Sequence, residues 1–195
     1  ALAPALAGDA LRLVDSSGAT GELRQVLALR VPELIAYQDL PYAAAYAGFV
    51  ARVAAAEQAA LPGETRLGEA VARHLFRLMA YKDEYEVARL HLAGDLGRRI
   101  EQEYPQAAEF RYHLQPPLLR ALGLRRKIAV GRWIEPFFRL LVRLRRLRGT
   151  ALDPFGHAAV RRVERALIPE YRARVARALA TLSPVTHERA VMLAN

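Results

Sequence analysis

Apolar positions recur at helical spacing along most of this chain. Leu23, Val26, Leu27, Leu34 and Tyr37 predict a helix from Glu22, with Pro32 placed to kink or split it. Pro41 suits the first turn of a second helix, carried by Tyr42, Tyr46, Phe49, Val50 and Val53 to an alanine-rich end. Leu61-Pro62-Gly63 stops it. The strongest pattern predicts one helix over residues 67–92, with Val71, Leu75, Leu78, Met79, Tyr85 and Leu90 on one stripe, Thr65 as N-cap and Gly94 as C-cap. A short helix over 95–105 follows.

The period then changes. Phe110, Tyr112 and Leu114 alternate with Arg111 and His113, which predicts a strand ending at Pro116-Pro117, with residues 127–130 as its hairpin partner. Helical spacing returns at Ile134, Phe137, Phe138, Leu141, Leu144 and Leu147, up to Gly149. A long helix over 157–182 carries Val160, Val163, Leu167, Tyr171, Val175 and Leu179, with Pro169 inside it. Thr186 caps a last short helix. Residues 1–21, with three glycines and Asp15-Ser16-Ser17, read as a linker. The expectation is a predominantly α protein: a single helical domain of five to seven helices over 22–195, with one short β-hairpin near 110–130.

Composition narrows the chemistry. The 195 residues are 53% hydrophobic and 25% charged, the balance of a soluble globular domain, and no apolar run is long enough to span a bilayer. Nothing before residues 1–7 supplies a basic n-region, so a cytoplasmic location is expected; the start at Ala1 suggests processing or a longer parent. Cysteine is absent, which excludes disulfides, thiolate metal sites, a cysteine nucleophile and iron–sulfur clusters held by this chain. The net charge of +9 is unevenly spread. Residues 111–177 hold seventeen basic against four acidic side chains, +13, leaving twelve against sixteen, −4, elsewhere. Only Lys82 and Lys127 are lysines; arginine, with its planar fork, supplies the rest.

Catalytic signatures are missing. The chain has no glycine-rich phosphate loop and no nucleophile elbow. His74, His91, His113, His157 and His187 are scattered, none at metal-ligand spacing on a helix, so no metal ligand and no catalytic residue is assigned. Lys82-Asp83-Glu84-Tyr85-Glu86 offers three close carboxylates. A cation site is one reading; a charged helix face, pairing Lys82 with Glu86, and Asp83 and Glu86 with Arg89, is preferred. The sharper feature is Arg139, Arg143 and Arg146, spaced to share one face opposite Phe138, Leu141 and Leu144. Arg145 and Arg148 extend this surface, and Arg125, Arg126 and Lys127 lie just before it. Such a row suits an anionic or acidic partner, or pairs with the chain's own carboxylates.

Four ordered segments carry a family resemblance: AYQD at 36–39, ARHLFRLMAYKDEYEVARL at 72–90, FRYHLQPPLL at 110–119 and LRGTALDPFG at 147–156. Together they resemble the C-terminal region of the long, fused bacterial indolepyruvate ferredoxin oxidoreductases, from about residue 23 to 195. The resemblance implies a parent that oxidatively decarboxylates aryl pyruvates, joins the product to coenzyme A and reduces ferredoxin. It implies thiamine diphosphate, a divalent metal ion and iron–sulfur clusters, all held upstream of this region, and a homo-oligomeric parent. No cofactor and no catalytic residue transfers here.

Three functions follow as expectations: a non-catalytic accessory domain serving assembly; a docking face for ferredoxin or coenzyme A through Arg139, Arg143 and Arg146; and, as the alternative, a basic helical nucleic-acid-binding module. The last has charge behind it but no helix-turn-helix, zinc-finger or RNA-binding aromatic motif.

Overall fold

The computed structural model describes residues 4–93, 103, 112–114 and 128–195. It is mostly helical, with 76% of residues in helices, eight of them α-helices among the described residues. The helices are α1 (Pro4–Ser16), α2 (Gly21–Tyr37), α3 (Leu40–Ala60), α4 (Arg66–Met79), α5 (Glu84–Ala93), α6 (Glu135–Leu144), α7 (Ala159–Leu179) and α8 (His187–Ala194). Strands β1 (Tyr112–Leu114) and β2 (Ile128–Val130) form the expected antiparallel pair, with His113 opposite Ala129. The chain divides into two compact units: Ala1–Tyr81 with Val163–Asn195, and Lys82–Arg162.

In the first unit α1 packs on α2 and α3, α2 and α3 pack on α4, and α8 closes against α4. The core is the stripe the periodicity selects: Leu23, Leu27 and Leu34 from α2, Tyr46, Val50 and Val53 from α3, and Val71, Leu75 and Met79 from α4. Asp39 caps α3 by accepting the Tyr42 N–H at 2.9 Å, with Pro41 in the first turn. The buried Tyr46 hydroxyl donates to the Ala72 carbonyl at 2.8 Å, and burial pushes its pKa up.

One expectation fails in this unit and another is narrowed. Residues 4–16 are a helix and not a linker, because Ala10 and Val14 enter the core one turn apart. Pro32 does not split α2; Val31 and Leu34 beside it are fully buried, and that packing holds the helix together despite the lost N–H.

In the second unit α5 packs on α6 around Tyr85, Ala88, Phe138 and Leu141. Short 3₁₀ segments, Arg132–Ile134 and Arg145–Leu147, flank α6. The helix expected over 67–92 is two helices. Ala80 ends α4, and Asp83 starts α5 by accepting the Glu86 N–H at 2.8 Å on its side chain and the Val87 N–H at 2.8 Å on its carbonyl. A capping carboxylate three residues before Glu86 resets the helix where the apolar stripe reads straight through. The expected Gly94 cap, the 95–105 helix apart from residue 103, and residues 125–127 lie outside the described residues.

Helix α7 runs through Pro169. Its stripe is only half used: Val175 is buried, while Val160, Val163 and Leu167 are exposed. Phe137 of α6 is likewise exposed. Periodicity locates an apolar face without supplying a neighbour to cover it.

Candidate functional site

The carboxylates of 83–86 are used inside the second unit. Arg148 grips Asp83 with both forks of its guanidinium, Nε to Oδ2 and Nη2 to Oδ1 at 2.8 Å, and both side chains are only 4% exposed. The Arg148 guanidinium also lies 5.3 Å from the centre of the Tyr85 ring. Tyr85 donates its hydroxyl to Asp153 Oδ1 at 3.1 Å and meets Phe155 edge-on at 5.2 Å. Burial, then the neighbouring Asp153 carboxylate, pushes the Tyr85 phenol pKa up. Asp153 in turn shapes its own loop, accepting the Phe155 N–H at 3.1 Å and the Gly149 N–H at 2.9 Å. Gly149 sits at φ 78°, a left-handed conformation that the reversal after Arg148 requires.

Glu84 pairs with Arg161 at 3.3 Å, and burial raises its pKa. Glu86 holds Arg89 through two bonds of 2.6 and 2.7 Å. Thus the preferred ion-pairing reading describes 83–86, with two corrections. Asp83 pairs with Arg148 across 65 positions, and Lys82, exposed before α5 begins, has no Glu86 partner across a helical turn.

The arginine row resolves into unlike parts. Arg139, Arg143 and Arg146 are exposed. Arg139 reaches Glu135 at 3.6 Å, whereas Arg143 and Arg146 have no ion pair among the described residues. Opposite them Phe138 and Leu141 are buried, as expected. Arg148 does not extend the row: the Asp83 carboxylate draws it into the interior. Beside the basic face lies a feature the sequence reading missed. Trp133, Phe137 and Leu140, spaced four and three apart, are 71%, 49% and 48% exposed. Their placement before and within α6 was visible; their exposure was not.

The first unit holds a second cluster. Glu57 of α3 is fully buried, and its two oxygens accept the Leu67 and Gly68 N–H groups, each at 2.8 Å. It caps α4 from another helix, where the helix dipole favours a negative charge. Thr65, the expected cap, donates its hydroxyl to Glu69 instead. His187 of α8 meets Glu57 Oε1 through Nε2 at 2.7 Å. Its Nδ1 faces Arg66 Nη2 at 3.5 Å, which assigns the Nε2 proton to the Glu57 bond.

Glu57, Glu64 and His187 each offer a ligand atom within 4.8 Å of the others. The donor set is already taken: Glu57 accepts three hydrogen bonds, and the Arg66 guanidinium sits against both His187 and Glu64. A cation would have to displace an arginine, so the group functions as a clasp joining α3, α4 and α8. Glu57 and His187 are 130 positions apart, and no spacing rule points from one to the other.

Fold and side chains together define a mostly helical, cysteine-free protein in which the buried Asp83, Arg148, Glu57 and His187 are paired with one another inside their own units. No helix among the described residues is long and apolar enough to cross a membrane. Residues 23–195 match DUF6537, described as a family of unknown function, and the chain belongs to that family. No curated protein and no solved structure matches it.

Proposed function

We propose that this chain is the non-catalytic C-terminal accessory domain of an indolepyruvate ferredoxin oxidoreductase, serving assembly of the parent and docking of an acidic partner. One observation carries the reading. Segments 72–90 and 147–156, which bear the resemblance, are joined by the Arg148–Asp83 and Tyr85–Asp153 contacts. Their shared residues therefore act as scaffold, consistent with a domain that holds shape and leaves the chemistry elsewhere. Thiamine diphosphate, its metal ion and the iron–sulfur clusters then belong to other parts of a homo-oligomeric parent, as the resemblance implies, and a cytoplasmic location is part of the same proposal.

The docking surface is the exposed side of α6 and its flanking 3₁₀ segments, which carry Arg139, Arg143 and Arg146 beside Trp133, Phe137 and Leu140. Arginine and aromatic side chains are the residues that anchor protein interfaces, and free guanidiniums select an acidic partner. Ferredoxin fits that description, and coenzyme A phosphates are the smaller candidate. The nucleic-acid alternative has the basic charge in its favour and no further observation. Deleting residues 23–195 from the parent and measuring coenzyme A-dependent ferredoxin reduction tests the reading. The expected result is lost assembly or a raised KM for ferredoxin; unchanged activity and assembly would overturn it.

A further inference from the structure

In the first unit two cations share one aromatic ring. The guanidinium carbons of Arg52 on α3 and Arg172 on α7 each lie 5.5 Å from the centre of the Phe49 ring. Phe49 is buried, Arg52 is exposed and Arg172 is half-buried. In this unit Arg12, Arg24, Arg30, Arg66, Arg73 and Arg174 each pair with a carboxylate. Arg52 and Arg172 have none among the described residues.

The Arg172 donors are poorly used. Nη2 reaches only the Ala45 carbonyl at 3.4 Å and the Met79 sulfur, a weak acceptor, at 3.5 Å. Its Nε is buried with no acceptor. A desolvated guanidinium with spare donors is costly unless an anion completes it. Burial lowers the Arg172 pKa, Tyr42 opposes that effect, and the Arg52 charge lowers it further. Two like charges are thus near enough to repel, on a ring that holds both through cation–π contact.

We propose that Arg52, Phe49 and Arg172 form a binding site for the oxyanion group, phosphoryl or carboxylate, of a small ligand. The two guanidiniums supply charge-assisted donors to its oxygens, and Phe49 fixes their positions. The site belongs to the first unit, whereas α6 belongs to the second, and it rests on no part of the docking reading.

Calorimetric and thermal-shift titrations of the chain at matched ionic strength test it, with inorganic phosphate, AMP and citrate as probes and chloride as reference. The expected result is saturable binding, with a rise in Tm, for at least one oxyanion. In Arg52→Gln it weakens about tenfold, the scale of one charge-assisted hydrogen bond. Arg12→Gln, which removes an equal charge from an exposed position on α1, keeps the affinity. Saturation by phosphate itself identifies a free-phosphate site, by AMP alone a phosphate-ester site, and by citrate alone a carboxylate site. Arg172 is half-buried, so R52Q decides the outcome whether or not R172Q folds. Absence of saturable binding by all three probes, or equal weakening in R12Q and R52Q, overturns the proposal.

Discussion

Arg148 reaches 65 positions back along the chain to close both forks of its guanidinium on Asp83, in a pocket that excludes water from both. Asp83 also caps α5, so one carboxylate sets a helix start and anchors the 147–156 loop. Removing one partner of such a pair leaves the other charge buried, which typically costs about 3–5 kcal/mol. Arg148→Ala should therefore lower the urea midpoint of the second unit sharply. Arg148→Lys should recover only part, because an ammonium cannot form the two-pronged bond. A double-mutant cycle with Asp83→Asn checks the pairing; additive losses would show that the two side chains act independently.

The Glu57 clasp makes a parallel case without an arginine fork. Glu57→Ala would strip the acceptor from the Leu67 and Gly68 N–H groups and from His187 at once. Each buried orphan donor costs about 1–3 kcal/mol, so the loss should be among the largest for any single site in this unit. Glu57→Gln keeps one acceptor oxygen and should fall between. The close fit extends to Gly68, where an added Cβ would lie 3.3 Å from Leu23 Cδ2 and 3.5 Å from Glu57 Oε2. Gly68→Ala should destabilise as well, against the usual helix preference for alanine, and denaturant titration of the three variants ranks them.

How far these features could be read from the chain depends on their range. The α3 start was legible because Asp39 and Pro41 act within one turn, and the hairpin because its alternation is local. The α4–α5 break was not. Asp83 caps through its own side chain, and an apolar stripe running past it gives no sign of the interruption. Arg148 lies in a run of like residues, so only its three-dimensional neighbour distinguishes it from Arg143 and Arg146. The Glu57–His187 clasp and the paired Arg52 and Arg172 need contacts more than a hundred positions apart, which no periodicity encodes.

His91 gives the second unit a pH response. It stacks on Phe138 with ring centres 5.4 Å apart and planes 9° from parallel, and burial lowers its pKa. The unfolded chain therefore binds the proton more readily than the folded one. That stability is fully present above pH about 6.5, the value of a free imidazole, and is lost as pH falls toward the lowered folded pKa. His91→Phe keeps an aromatic ring on Phe138 and removes the titration. Its midpoint should decline less than the wild type's between pH 7 and 5 in urea titrations, on scales approximated by about one ionisation. Parallel decline in the two proteins would remove His91 as the cause.

Charge reversal on the α6 face distinguishes a solvated charge row from the proposed docking surface. Arg143→Glu with Arg146→Glu reverses two exposed charges that have no ion pair among the described residues, so the Tm should stay within a few degrees. On the proposed docking reading, the apparent KM of the proposed parent enzyme for ferredoxin should rise at least severalfold, and its dependence on ionic strength should flatten. Trp133→Ala should weaken the same partner mainly through faster dissociation, because an exposed aromatic anchor contributes after encounter rather than during it. Trp133 is the chain's one tryptophan, so its emission also reports the contact directly: an acidic protein that covers it should shift the emission to shorter wavelength. Duplex DNA offers a discriminating control. If it bound at physiological salt with a steep salt slope while ferredoxin left the Trp133 emission unchanged, the face would be a nucleic-acid surface and the docking reading would fall.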